Sequence, residues 1–188
     1  MSDPAWDGVL LARHGQTNDN IEPIKVQGFT DTPLNDSGRR QAAELAGRVA
    51  AGEAIASLWS SDLSRARETA EIVGVATGLQ ARLDPRFREA HRGRWEGRRF
   101  IDIAREEPDL YAAWLNAGDH FRFPGGESLL EQQERVTAGL RDVHATGELP
   151  ALVVCHGGSI RVMLCKRDPR GLYAFHDFEV PNVAVVRL

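Results

Sequence analysis

The sequence predicts an α/β protein, a three-layer α/β/α sandwich around a mostly parallel central sheet. Three observations carry this. Two short apolar runs, Val9 to Ala12 and Ala151 to Cys155, have the unbroken hydrophobicity of strands buried on both faces, as parallel strands are. Each run delivers a histidine followed at once by glycine: His14-Gly15 in the first, His156-Gly157-Gly158 in the second. Between them strand-like and helix-like segments alternate without an internal repeat or linker, so residues 1–188 are read as a single domain.

Gly15 permits the chain to turn sharply after the first strand. Gln16 to Thr32 is polar and irregular, with Pro23 and Gly28, and reads as a long loop over the end of the sheet. Asn35-Asp36-Ser37 supplies N-cap residues for a helix whose Ala42, Ala43, Leu45, Ala46, Val49 and Ala50 recur at helical spacing, with Gly52 as its stop. Ala54 to Trp59 reads as the second strand. Ser60, Ser61 and Asp62 offer caps for a helix over Leu63 to Thr77, with Gly78 just past it.

Arg82 to Arg99 is strongly basic and punctuated by glycine. Phe100 to Ala117 is helical but broken at Pro108, and Asp119 to Gly126 is a loop. Ser128-Leu129-Leu130-Glu131 is a capping box that starts a helix to about Thr146, with Leu130, Val136, Leu140 and Val143 inward. After the Ala151 to Cys155 strand a helix covers Ser159 to Lys166, and Asn182 to Leu188 is a final strand.

A net charge of −4 argues against a nucleic-acid-binding surface. Cys155 and Cys165, ten apart and without a CxxC pair, fit a reducing compartment and no structural zinc. Met1 to Gly8 lacks the basic flank of a signal peptide, and no apolar run approaches a membrane span. The expectation is a cytoplasmic protein with neither nucleic-acid nor membrane partners. Nucleotide binding through a glycine loop has no support, because neither GxxxxGK[ST] nor GxGxxG is present.

The strand order places Arg13 and His14 at the carboxyl end of a central strand, where open α/β sheets bind ligands. A fixed cation beside an imidazole suits an anionic substrate attacked by a nitrogen nucleophile. The bland alternative makes His14 a structural hydrogen-bonder. Arg65, in the first turn of the second helix, is either an anion ligand at a positive helix terminus or a solvated surface arginine. Glu89, flanked by Arg86, Arg88, Arg92 and Arg94, is either an acid–base group at the rim of an anion site or a surface ion-pair partner. The entrance is expected to carry Arg92, Arg94, Trp95, Arg98, Trp114, His120 and Arg122. His14, His156 and Glu89 also match zinc ligands in type, but two arginines in the same pocket would repel the cation.

Arg13-His14-Gly15-Gln16-Thr17 with Asn20 resembles the signature of the histidine phosphatase superfamily, the phosphoglycerate mutase-like proteins. Ser60 to Ala70 looks like the family's second motif, with its arginine at Arg65. Glu89 followed by Gly93, Trp95, Glu96 and Gly97 resembles its acid-bearing segment. Pro124-Gly125-Gly126-Glu127-Ser128 and Val153 to Gly158 match two further stretches, all in the family's order. Asp62 stands where proline is common, and Gln16 where glutamate is common; neither change removes a reactive group.

The resemblance implies a metal-independent phosphoric monoester hydrolase without cofactor, acting on a small phosphorylated metabolite. It points to the phosphatase branch, similar to alpha-ribazole phosphatase-type enzymes. It gives catalytic roles to His14, Glu89, Arg13, Arg65 and His156, and phosphate binding to Arg13, Asn20, Arg65, His156 and Gly157. His14 attacks phosphorus to give a phosphohistidine, Glu89 is the proton donor, and a charged His156 with the arginines keeps His14 neutral. The alternative is a phosphoglycerate mutase using the same pocket. The chain stops directly after the last strand, without the tail of such enzymes, which favours the phosphatase. A silent phospho-ligand binder is disfavoured because every catalytic position is filled. A monomer or homodimer is expected.

Overall fold

The computed structural model describes residues 6–52 and 54–188. Its sheet has five strands: β1 (Val9–Arg13), β2 (Ser57–Ser60), β3 (Arg82–Leu83), β4 (Ala151–Cys155) and β5 (Val185–Arg187), in the order β3-β2-β4-β1-β5. The pairs β1–β4, β2–β4 and β2–β3 are parallel; only β5 runs antiparallel, against β1. The mostly parallel sheet is therefore as expected.

Side chains alternate across each strand, so one strand feeds two cores. Val9 and Leu11 of β1 with Ala151, Val153 and Cys155 of β4 pack against Val136, Leu140 and Val143 of α5 (Leu129–Ala145) and Ile160 and Met163 of α6 (Gly157–Cys165). On the other face Ala12, Leu58, Leu152 and Val154 meet Leu45 and Ala46 of α1 (Asp36–Ala51) and Ala66, Ala70 and Val73 of α2 (Ser64–Thr77). These are the three layers. A further cluster around Trp95, Trp114, Phe121, Phe123 and Phe175 gathers α3 (Phe100–Glu106), α4 (Pro108–Leu115) and the loops above α6.

Helix boundaries follow the capping chemistry, with exceptions. Asn35 caps α1 by accepting from the Gly38 amide at 2.8 Å, and Ser128 and Glu131 form the reciprocal capping box of α5. Pro108 starts α4, and Gly78 ends α2 in the left-handed region. The expected caps of α2 are not used. Leu63 occupies the N-cap position, and the Ser64 amide donates instead to Asp31 of the preceding loop at 2.7 Å. Leu130 is 39% exposed; Leu129 takes the inward position. Strand β2 begins at Ser57 rather than Ala54, because pairing starts opposite Ala151. The last strand is shorter than expected. Val183 adopts φ 54°, rare for a β-branched residue, so the chain turns there before pairing. The fourth helix of the main layers starts at Gly157, not Ser159.

Register brings the strand ends together. Arg13 pairs with Cys155 and Ser60 with Val154. The residues that follow, His14, Ser61 and His156, therefore emerge side by side at the carboxyl edge.

Candidate active site

The His14 and His156 rings stand edge to face with centroids 5.1 Å apart. His14 Nδ1 lies 2.6 Å from the Gly15 carbonyl oxygen, which can only accept, so the proton is on Nδ1 and the lone pair is on Nε2. Gly15 is needed here for close approach rather than for a special backbone angle: a β-carbon would lie 2.3 Å from the Gly38 carbonyl oxygen. From the other side the Asn182 side chain donates to the His14 carbonyl at 3.0 Å, and the Val183 amide to that of Arg13 at 3.1 Å. His156 is the N-cap residue of α6. Its Nε2 is 2.9 Å from Ser61 Oγ, while the buried Nδ1 has no hydrogen-bond partner among the described residues.

Both rings are pushed toward the neutral form. Burial first, then His156, Arg65 and Arg13, push His14 well below the usual imidazole value. Burial, then Arg65, Arg135 and Arg13, do the same to His156. Burial beside arginines thus works against the charge expected on His156.

Arg13 donates through Nη1 to the Val180 carbonyl at 2.6 Å, leaving a buried Nε without a partner among the described residues. Arg65 is wholly buried, so the surface reading of it fails. Its two terminal nitrogens donate to the Thr30 and Gly28 carbonyls at 2.9 and 2.8 Å. Burial draws its pKa down to about 10, and Glu89 opposes that shift. The arginine thus ties the long loop to the start of α2 while keeping an Nε that has no partner among the described residues.

Glu89 is buried as well, and is no surface partner. Its Oε2 accepts from the Gly158 amide and its Oε1 from the Ala90 amide and Gln132 Nε2, each at 2.9 Å. Burial alone would raise its pKa; the Arg92 guanidinium and these hydrogen bonds outweigh that and hold it at about 2. Arg92 reaches to 3.9 Å of the carboxylate and stacks between Trp114 and Phe123, 5.5 and 5.2 Å from their ring centroids.

A cavity of about 720 Å³ opens onto this group, lined among others by Arg13, His14, Asn20, Glu89, Arg92 and Gly157. Asn20 Oδ1 is taken by the Thr17 amide at 3.0 Å, so its NH₂ is what it can offer a ligand. Arg65 and His156 are fully buried and do not line the cavity. They underlie it, in electrostatic reach of His14. Of the expected entrance residues, Arg92 and Trp114 are present. Arg94 and Arg98 are turned to Glu107, Arg122 pairs with Glu131, Trp95 is core, and His120 is exposed outside the lining.

Four contributors escaped the sequence reading. Arg161 lines the cavity one helical turn after Gly157, a spacing that could have found it. Gln132 is a buried polar residue on the apolar stripe of α5, a detectable anomaly. The sequence marks Ser61 only as a helix cap within the second motif and Asn182 only as the start of the last strand. Among the described residues no group of three or more His, Cys, Asp or Glu side chains is arranged to hold a metal ion, and no helix is long and apolar enough to cross a membrane. Chemically, the site offers a neutral imidazole nitrogen, surplus positive charge and one carboxylate across from it. That set can bind a tetrahedral anion and exchange a proton with it.

Comparison with known proteins agrees. The model of the histidine phosphatase superfamily, branch 1, matches residues 9–188. The chain is 36% identical over 166 residues to phosphoglycerate mutase-like protein 4 of Arabidopsis thaliana, covering 86% of this chain and 71% of that one. It is 40% identical over 153 residues to a protein of Escherichia fergusonii named as a probable phosphoglycerate mutase, covering 79% and 69%. Among solved structures, a mycobacterial glucosyl-3-phosphoglycerate phosphatase superposes with a TM-score of 0.83 at 29% identity, covering 94% of this chain and 88% of that one. The chain belongs to the histidine phosphatase superfamily.

Proposed function

We propose that this protein is a metal-independent phosphomonoesterase working through a phosphohistidine on a small phosphorylated metabolite. The observation that carries the reading is the His14 tautomer: Nδ1 is committed to the Gly15 carbonyl, so Nε2 is an unprotonated nucleophile inside a cationic cavity that also holds Glu89. The arginines take the place a divalent cation would otherwise have in holding the phosphoryl oxygens.

His14 Nε2 attacks phosphorus as the ester P–O bond breaks, and Glu89 gives its proton to the leaving alkoxide. Glu89 then takes a proton from water, which attacks phosphorus and breaks the P–N bond. Phosphate leaves and His14 returns. Arg13, Arg92, Asn20 and the Gly157 amide hold the phosphoryl oxygens, and Arg65 and His156, which underlie the cavity, act on them from beneath. Because Glu89 sits at about 2 in the protein's own field, it must take up a proton from solution as the substrate binds: a phosphate dianion beside it raises its pKa and engages Arg92. The phosphatase named among the structural neighbours supports hydrolysis; the mutase names among the relatives keep 3-phosphoglycerate as a control substrate.

The test is acid-free quenching of enzyme turning over a phosphomonoester in excess EDTA. The expected result is an acid-labile, base-stable phosphoryl group on His14, absent from His14→Ala. Loss of turnover in EDTA with recovery in zinc, or substantial turnover by His14→Ala, overturns the reading. Rapid conversion of 3- to 2-phosphoglycerate would replace it with a mutase.

A further inference from the structure

The cavity, at about 720 Å³, is in the range that holds ligands far larger than phosphate, and its two ends differ in chemistry. The buried end carries His14, Arg13, Arg92 and Glu89. Toward the mouth one wall is apolar: Ile24 from the loop after β1, and Phe100, Ile101, Tyr111, Trp114 and Leu115 from α3 and α4.

Ile101 is 70% exposed and Leu115 52%. Neither belongs to the core cluster that anchors α3 and α4 through Phe100, Leu110 and Tyr111. Around Ile101 the neighbouring residues Arg99, Asp102, Arg105 and Glu106 pair with one another, so the helix is otherwise a charged surface. A single exposed apolar residue is ordinary. Here Ile24, Ile101 and Leu115 come from three segments and converge on the mouth of one cavity, above the phosphate end.

We infer that the alcohol half of the substrate is an apolar chain or ring held against this wall. The substrate class is then a phosphomonoester of a hydrophobic alcohol rather than of a polyol or sugar. This rests on the phosphatase reading of His14 and Glu89. Glu22, Lys25, Gln27, Arg161 and His176 also line the cavity and are groups that would hold a polar leaving group instead, which makes polar preference the competing outcome.

The n-alkyl phosphates from ethyl to hexyl separate these outcomes. Their leaving alcohols have nearly the same acidity, so the chemical step is constant and kcat/KM reports contact with the wall. Expected is a rise of about twofold to threefold per methylene, below the roughly fourfold of full burial because the wall is open on one side. Propyl phosphate should also outperform glycerol 1-phosphate. Ile101→Ser and Leu115→Ser should each lower the hexyl-to-ethyl ratio severalfold. A flat or falling series, better turnover of glycerol phosphate, or a ratio unmoved by both substitutions overturns the apolar assignment while leaving the phosphatase intact. Failure to hydrolyse ethyl phosphate and p-nitrophenyl phosphate alike overturns both.

Discussion

Gly158 donates its amide to Glu89 Oε2 at 2.9 Å, and a β-carbon at position 158 would lie 2.0 Å from Glu89 Oε1. The glycine therefore lets the carboxylate seat on the first turn of α6, where the helix terminus favours its charge. The obstructed atom is the end of a flexible side chain, so Gly158→Ala displaces the carboxylate and spares the backbone. We expect a melting temperature within a few degrees of wild type and a kcat lower by on the order of 10²-fold, the usual effect of misplacing a reacting group by an ångström. Parallel measurement of Tm and kcat checks this; normal turnover with alanine at 158 would separate the position of Glu89 from catalysis.

Acid should destabilise the fold well before ordinary carboxylates titrate. His14 and His156 are held neutral, well below the usual 6.5, while in the unfolded chain each takes a proton below that value. The unfolded state thus binds more protons, and stability falls as pH falls below 6.5, by up to about 1.4 kcal/mol per pH unit for each ring. Glu89, at about 2 against its ordinary 4.5, acts with the same sign but between 4.5 and about 2. Urea denaturation at pH 7 and pH 5 should show the loss. His14→Asn should remove roughly a third to a half of it, His176 adding to the rest because burial lowers it too. An unaltered slope in that variant would mean that the protons bind elsewhere.

Asp62 stands where the family resemblance leads one to expect proline, and the structure gives it a partner. It accepts two hydrogen bonds from Arg88, at 2.7 and 2.6 Å, joining the turn after β2 to the segment that bears Glu89. Both side chains are about a third exposed, so screening limits the pair. Asp62→Ala should cost about 1 kcal/mol or less, with a coupling to Arg88→Ala of about 0.5 kcal/mol in a double-mutant cycle. The same substitution should slow turnover severalfold by loosening the neighbour of Glu89. A zero coupling together with unchanged kcat would make the pair ornamental.

Much of this site was legible because parallel strands announce themselves. The apolar runs before His14 and His156 placed both histidines at strand ends, and parallel register then put them together. Electrostatics was less legible. Whether His156 is charged depends on how deeply three layers bury it, and no local pattern encodes that. The stacking of Arg92 needs Trp114 and Phe123 from later segments, so the sequence alone could not separate it from Arg94 and Arg98, which went to Glu107. Strand β2 started late for a similar reason: Ile55 is apolar enough to look like strand, but it only flanks the core while Ser57 makes the first pair.

The role of Glu89 is separable from that of the arginines by leaving group. An alkoxide leaves poorly and needs a proton as the P–O bond breaks, whereas nitrophenolate is stable enough to leave without one. If Glu89 is the proton donor, Glu89→Gln should slow alkyl phosphates by on the order of 10²-fold or more. It should change the nitrophenol burst from p-nitrophenyl phosphate far less. The burst is the right measure, since in the proposed mechanism it isolates phosphorylation of His14 from the later attack of water, for which Glu89 would be the base. Arg65→Ala acts on charge common to all substrates and should slow both classes alike. The low resting pKa of Glu89 adds a second readout: binding of inorganic phosphate should take up a proton in wild type and not in Glu89→Gln. A burst slowed as much as alkyl ester cleavage, with no proton taken up, would make Glu89 a binding residue and move the acid to another group in the cavity.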